Sequence, residues 1–248
     1  MSDIEAAVCI AAIVVGVLVK AITGLGFPLV AIPVISVFVS VEDAVSVIAL
    51  PNVVMNFALC WGTRRHAGET RDLPMLGVTG ILGAVVGTLL LLRMPEQPLL
   101  VALALTVFGY VGHVVRSPEA SLSRETARRW SPAMGLAAGV MHGAVGISGP
   151  LVASWIHAYR LPPNAFVFSV TLLFLLAGAT QLAALVGNGM LAGARLWIAL
   201  AAIPLVLVLI PVGARLRDGL ASQRFERAVL AVLLLSGASL VIRAVAGA

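Results

Sequence analysis

The feature that most constrains this chain is a series of ten apolar segments separated by short polar connections. The segments lie at about 4–22, 27–40, 43–61, 73–92, 98–115, 132–146, 150–159, 164–186, 195–213 and 226–245. Several reach the roughly 17–25 residues that a helix needs to cross the hydrocarbon core of a bilayer. Hydrophobic residues make up 60% of the chain and charged residues 11%, whereas soluble domains have roughly 45–50% and 25%. The sequence therefore predicts an all-α polytopic, multi-pass membrane protein with lipid as its surroundings.

The arginines predict the orientation of these segments. Most of them lie in three loops, at about 62–72, 116–131 and 214–225. Ten segments place all three loops on one side, which the positive-inside rule assigns to the cytoplasm, and leave both termini outside. Eight segments would move the loop at 214–225 outside with its arginines, so we prefer ten.

One pair of predicted segments is short for two full crossings. The pair 132–146 and 150–159 forms either two spans or a re-entrant hairpin of half-helices, and both return the chain to the same side. The orientation does not depend on which alternative holds.

Composition and charge also exclude several classes of function. The net charge of +5 comes from arginines in short loops rather than from a basic stripe on a soluble surface, so no nucleic-acid partner is expected. The sequence lacks HExxH, GxSxG and Walker A motifs, so an enzyme is not predicted. Cys9 and Cys60 lie in apolar segments without metal-ligand or disulfide spacing, and no cofactor or metal is expected.

An internal repeat divides the chain. Residues 20–31 read KAITGLGFPLVA and residues 142–153 read HGAVGISGPLVA, at an offset of 122 positions. We predict a first membrane repeat at 1–116, a cytoplasmic linker at 117–131 and a second repeat at 132–248. Because each repeat has five segments, an odd number, the second enters the membrane from the opposite face. The two halves then form an inverted-topology repeat, a common construction of secondary transporters.

Both copies of the motif interrupt an apolar run with glycines and restart it with a proline. Pro28 and Pro150 suit the first position of a helix, which would leave the amides of 29–31 and 151–153 without partners inside the membrane. A bound anion could satisfy these amides, helped by the helix dipole. The alternative is a glycine-proline kink packed against a neighbouring helix. The motif residues assigned to the binding site are Thr23, Gly24, Gly26, Phe27, Pro28, Gly146, Ser148, Gly149 and Pro150.

A basic side chain opens each copy of the motif. Lys20, the only lysine, lies in an apolar segment, where it either faces a cavity or partner or extends to the cytoplasmic interface. His142 occupies the matching position, and an imidazole with an unperturbed pKa of about 6.5 suits anion attraction or proton coupling. The alternative is a neutral histidine hydrogen-bonded inside the bundle.

Three amide side chains in the apolar segments are further candidates for the substrate site. Asn52 and Asn56 share a helix face and either contact the ligand or hydrogen-bond between helices, the second being favoured for Asn56. Gln181 is the polar residue of the second half that we expect to line a cavity. No carboxylate lies well inside a segment, so a cation conduit is not predicted.

The motifs GLGFPLVAIP (24–33) and GAVGISGPLVA (143–153) make the chain resemble the TauE/SafE sulfite-exporter family over nearly its whole length. The resemblance implies transport of a small sulfur oxyanion or sulfonate across the bacterial cytoplasmic membrane, with Gly24, Gly26, Pro28, Gly146, Ser148 and Pro150 framing the path. Together with the residues above, it predicts a secondary transporter, with export as the expected direction. An anion channel and a membrane subunit of a larger complex are the alternatives. A homo-oligomer is compatible with the sequence.

Overall fold

The computed structural model describes residues 3–23, 26–116, 123–220 and 223–246. These residues form ten α-helices and a short 3₁₀ helix, Arg64–Glu69, after the third. The helices are α1 Asp3–Thr23, α2 Phe27–Ile35, α3 Val41–Thr63, α4 Leu73–Arg93, α5 Glu96–Arg116, α6 Arg124–Val145, α7 Gly149–His157, α8 Pro163–Gly187, α9 Gly193–Leu220 and α10 Gln223–Ala246. The predicted all-helical fold with ten segments is confirmed.

The ten helices fall into two length classes, long and half-length. Five helical stretches are long and apolar enough to cross a membrane within the described part of the chain, and they lie in α3, α4, α8, α9 and α10. By contrast, α2 and α7 have nine residues each. At 1.5 Å per residue they rise only about 13.5 Å, less than half of a core of about 30 Å. Half-length helices therefore occur in both halves.

Three helix boundaries differ from the predicted ones by five residues or more. Helix α9 continues to Leu220, seven residues beyond the predicted end of its segment at 213. Helix α2 ends at Ile35, five residues before the predicted end of its segment, and residues 36–39 form turns. Helix α6 begins at Arg124, eight residues before the predicted start, because its first turns are polar and carry no hydrophobic signal. The Ser123 hydroxyl caps α6 by accepting from the Thr126 amide at 3.1 Å. The second part of the predicted linker is thus helical.

The packing of the helices repeats when the two halves are exchanged. Shifting the numbers by 122 places α1 to α5 on α6 to α10 in order, with starts that differ by at most five residues. Helix α1 packs on α9, and its counterpart α6 packs on α4. Helices α3 and α8 pack on each other, as do α5 and α10. Every one of these contacts joins the first half to the second.

Helices α4 and α6 touch along their backbones, and we call this contact the glycine seam. A Cβ atom on Gly139 would overlap the backbone of Gly80 and Ala84. The same holds along the contact for Gly83, Gly87 and Gly143, which face backbone atoms of the opposite helix. Small residues at intervals of about four positions allow this approach between membrane helices.

Polar side chains mark the two ends of the bundle. At the first, which we call the Asp43 end, Arg195 forms an ion pair with Asp43, and Arg243 pairs with Glu96 at 3.2 Å. At the other, which we call the Tyr159 end, Tyr159 lies 3.2 Å from the hydroxyl of Ser131. The 3₁₀ helix and the start of α8 meet at this same end through His66 and Asn164, 3.3 Å apart.

Candidate functional site

The two half-helices begin at the same cavity. The N-terminus of α2 contributes Gly26, Pro28 and Leu29 to the cavity wall, and the N-terminus of α7 contributes residues 147–150. The cavity has a volume of about 20 Å³, enough for about one water molecule. Since each helix presents its positive end there, the two dipoles add at one point. The repeated motif therefore builds one site from both halves of the chain.

Each half-helix starts one residue before its proline, which changes which amides are unpaired. The amides of Val30 and Val152 donate to the carbonyls of Gly26 and Ser148 at 2.9 and 3.0 Å. The prediction that all amides of 29–31 and 151–153 lack partners was therefore wrong, because the helices already pair those from Val30 and Val152 onward. The amides of Leu29 and Leu151 precede these first donors and remain available to a ligand.

The chain enters the two half-helices in different ways. Gly26, which caps α2, has φ +118°, a conformation that side-chain-bearing residues rarely adopt. The matching cap of α7 is Ser148, with φ −132°. Gly146 ends α6 in the left-handed region with φ +72° and donates its amide to the His142 carbonyl.

Lys20 is buried in this site and hydrogen-bonded to α3. Its side chain is 3% exposed, and Nζ donates to Asn56 Oδ1 at 2.7 Å. Asn56 is held in turn by donating Nδ2 to Asn52 Oδ1 and to the Asn52 carbonyl, both at 2.9 Å. Nζ also lies 5.6 Å from the ring centre of Phe174. The structure therefore excludes an extension of Lys20 to the interface, and among the described residues it forms no ion pair with a carboxylate.

His142 approaches the same cavity from α6. Its Nδ1 lies 3.1 Å from the Ser148 hydroxyl, and its ring stacks on Phe174 with centres 6.2 Å apart. Its Nε2 is buried without a hydrogen-bond partner among the described residues. Phe174 thus contacts both basic residues of the repeat, and one imidazole nitrogen is left for a ligand or a proton.

Gln181 does not line this cavity, contrary to the prediction. Its Nε2 donates to the carbonyls of His142 and Gly143 at 2.8 and 3.0 Å. The His142 carbonyl also accepts from the Gly146 amide, but the Gly143 carbonyl lies in the last turn of α6, which ends at Val145, and Gln181 supplies the donor that the helix does not. Gln181 therefore fixes the end of α6 and, with it, the position of His142.

The structure brings most of the predicted site residues together. Those that line the cavity are Lys20, Gly26, Pro28, Asn52, His142, Gly146, Ser148, Gly149 and Pro150. Phe27 is fully buried and packs against Gly16 instead. Asn56 does not line the cavity but holds Lys20 by accepting its hydrogen bond. Thr23 ends α1, and nothing is described of its side chain, while Gly24 lies outside the described residues.

Two aromatic residues that the sequence analysis missed also line the cavity, Tyr110 and Phe174. Phe174 occupies the position that matches Asn52 at the offset of 122, which is the one available signal for it. Tyr110 is one of two tyrosines and lies within an apolar segment, where a phenol requires an explanation.

Comparison with family models decides the family. The model described as sulfite exporter TauE/SafE matches residues 8–240. The chain belongs to the TauE/SafE family. No match was found among curated proteins or solved structures.

For a TauE/SafE protein, the chemistry of this cavity is suited to an anion. It offers two helix N-termini, a lysine amino group, an imidazole and a serine hydroxyl. A protonated Lys20, buried without a carboxylate partner among the described residues, carries a desolvation cost that a bound anion would reduce. As a family member with long apolar helices, the protein is a multi-pass membrane transporter of the sulfite-exporter type.

Proposed function

We propose that the protein is a secondary transporter that exports a small sulfur oxyanion, such as sulfite, or an organosulfonate across the cytoplasmic membrane. The observation that carries the proposal is that both half-helix N-termini, Lys20 and His142 line one cavity between the two halves. In this proposal, Lys20 supplies positive charge, and the amides of Leu29 and Leu151 donate to the anion. His142 and Ser148 complete the set of groups that surround the anion.

The transport cycle we propose is alternating access between two inverted repeats, 1–116 and 132–248, with 117–131 as a cytoplasmic linker. Helix α1 of the first half packs on α9 of the second, and the equivalent helices α6 and α4 pack on each other in the same way. This exchange of equivalent contacts between the halves supports the division. The 3₁₀ helix lies at the Tyr159 end, whereas Arg195 and Arg243 lie at the Asp43 end. The arginines predicted to be outside and the loop predicted to be cytoplasmic are thus at opposite ends, which agrees with the proposed sidedness. The Tyr159 end is then cytoplasmic and the Asp43 end is outside.

The direct test is transport by the purified protein in liposomes. We expect saturable uptake of sulfite or a sulfonate and accelerated exchange when unlabelled substrate is present on the far side. Arg93→Gln, which removes one exposed positive charge outside the cavity, serves as a control and should transport normally. Flux that never saturates and shows no exchange would instead indicate a channel.

Binding can be measured separately from transport. A ligand that binds only the folded state raises its stability by RT ln(1 + [L]/Kd), about 2.7 kcal/mol at 100 times Kd. Thermal unfolding in detergent with sulfite, sulfate, thiosulfate, taurine, sulfoacetate and small carboxylates should therefore rank the anions. An absence of any shift, together with no flux, would contradict the proposed function.

A further inference from the structure

A second, larger cavity lies next to the anion site. It has a volume of about 620 Å³ and lies between α5, α6 and α7. It is an open groove with a mainly apolar lining that includes Leu105, Met141 and Trp155, and Leu105 is 66% exposed. From Pro150 at the anion site, it follows α7 as far as Ala158, beside the Tyr159 end.

Two residues line both cavities, Tyr110 of α5 and Pro150 of α7. The proline is held by its ring and by its place in the first turn of α7, so it can move only with the backbone. The tyrosine can change its side-chain rotamer without moving the helix. Tyr110 is therefore the movable part of the boundary between the two cavities.

The matching region of the other repeat is packed instead. Helix α2, the counterpart of α7, packs on α10, and seven of its nine residues are buried, compared with three of nine in α7. Arg243 of α10 donates to the carbonyls of Ser36 and Val39 beyond the end of α2, as well as pairing with Glu96. Helix α2 is thus packed on its neighbours where α7 borders a large cavity.

We propose that the large cavity is the substrate route between the anion site and the Tyr159 end, and that Tyr110 is the side chain that gates it. This inference rests on the proposed transport function. The anion site has room for about one water molecule, which is less than a sulfur oxyanion needs, so a wall must move for substrate to enter. Tyr110 and Pro150 lie between the site and the larger space, and of the two only the Tyr110 side chain can rotate.

The first experiment tests the route by thiol labelling with a membrane-impermeant maleimide, after replacement of Cys9 and Cys60 by alanine. Ser154→Cys probes the large cavity, and Ile32→Cys is its matched control at the offset of 122, where the side chain is 1% exposed. Gly68→Cys and Gln97→Cys mark the Tyr159 and Asp43 ends, because both positions are exposed. Labelling is compared in vesicles of both orientations.

We expect Ser154→Cys to react from the same face as Gly68→Cys and Ile32→Cys to react at least tenfold more slowly from either face. Reaction of Ser154→Cys only with a membrane-permeant maleimide would show a lipid-filled groove and overturn the route. Equal reactivity of the two matched positions would overturn it as well.

The second experiment tests the gate. Ser148→Cys places a thiol at the anion site, and its labelling rate is measured with Tyr110 intact or replaced. Tyr110→Ala and Tyr110→Val should each accelerate labelling about tenfold or more, whereas Tyr110→Phe, which keeps the ring between the two cavities, should accelerate it less than either. Valine is the residue at the matching position 232, so it provides a second variant if the alanine variant does not fold.

Unchanged labelling in both small-residue variants would overturn the gate. Neither experiment requires an anion, so its outcome can be separated from failure of the proposed function. If labelling follows the expectation but no anion is bound or moved, the route stands and the substrate assignment fails.

Discussion

The same pair of helices is packed in two different ways in the two halves of the protein. Helices α1 and α9 meet through ordinary side chains, and Val17 of α1 and Val206 of α9 are both fully buried in one apolar core. In their counterparts, α6 and α4, the position matching Val17 is Gly139, and the contact is the glycine seam. A repeated sequence has therefore kept its helix order while changing the distance between helices.

A second difference follows the first, in the half-helices. Helix α2 is enclosed by α1, α3 and α10, while α7 borders a large cavity. In an alternating-access transporter with inverted repeats, one static conformation must be unequal in this way, because equal halves would leave both ends open or both closed. Under the proposed alternating access, this asymmetry locates the parts that must change during the cycle.

The largest effect should come from adding one methyl group to the glycine seam. Gly139→Ala places a Cβ inside the backbone of α4, and we expect a loss of about 3 kcal/mol or more, at the upper end for overpacking. The matched change Val17→Ala removes packing and should cost about 1–3 kcal/mol. Thermal unfolding in detergent measures both. Gly112→Ala, with open space around it, is the control and should be neutral or slightly stabilising.

A seam that tolerated Gly139→Ala as well as the Gly112 control would contradict the backbone contact. Comparable losses in Gly139→Ala and Val17→Ala would show that the two helix pairs differ less than described.

The next largest effect distinguishes the two basic residues. Lys20→Met should weaken anion binding about 10- to 100-fold, because a hydrogen bond to a charged group contributes about 1.5–3 kcal/mol. His142→Gln should weaken it about tenfold or less, in the range of a neutral hydrogen bond. Ligand-dependent shifts in melting temperature give both constants. A greater loss in His142→Gln would reverse the assigned roles.

A smaller effect is expected at the two caps. Gly26→Ser puts the residue found at position 148 into a backbone with φ +118°, which should cost about 1–3 kcal/mol. The reverse change, Ser148→Gly, removes the hydroxyl beside His142 and should cost about 1 kcal/mol. The melting temperatures of the Gly26→Ser and Ser148→Gly variants, compared with that of the native protein, measure both costs. Equal stability of Gly26→Ser and the native protein would mean that the two caps are interchangeable.

The smallest effect concerns the ion pair at the Asp43 end. Asp43 and Arg195 match Ala165 and Leu73 of the other half, which are buried and apolar. Because the ion pair is partly exposed, the double change Asp43→Ala with Arg195→Leu should alter stability by less than about 1 kcal/mol. It should also reduce the salt dependence of melting. A loss of several kcal/mol would show that this pair is a major tie between α3 and α9.

The helices could be predicted from sequence because alternation of apolar runs and polar loops is a local signal. This signal failed to predict a helix where the helix is not apolar, as in residues 124–131, where only Ser123 marks the helix start. The meeting of the two motifs was predicted from their repetition, since inverted halves place equivalent residues at one depth.

The partners of the site residues were less predictable. Gln181 bonds to carbonyls of His142 and Gly143, nearly forty positions earlier, and no local pattern shows that those carbonyls need donors. Phe174 and Tyr110 read as ordinary apolar and aromatic residues of membrane helices. Their importance comes from which cavity they border, and that depends on packing between distant helices.

The glycine seam has a mechanical consequence. A contact without side chains has no rotamers to readjust, so it cannot loosen by degrees, and the two backbones either fit or separate. We therefore expect helices α4 and α6 to move together, as one stiff lever that carries a part of each half. Any motion that opens the bundle must bend or slide at other contacts, around this lever rather than through it.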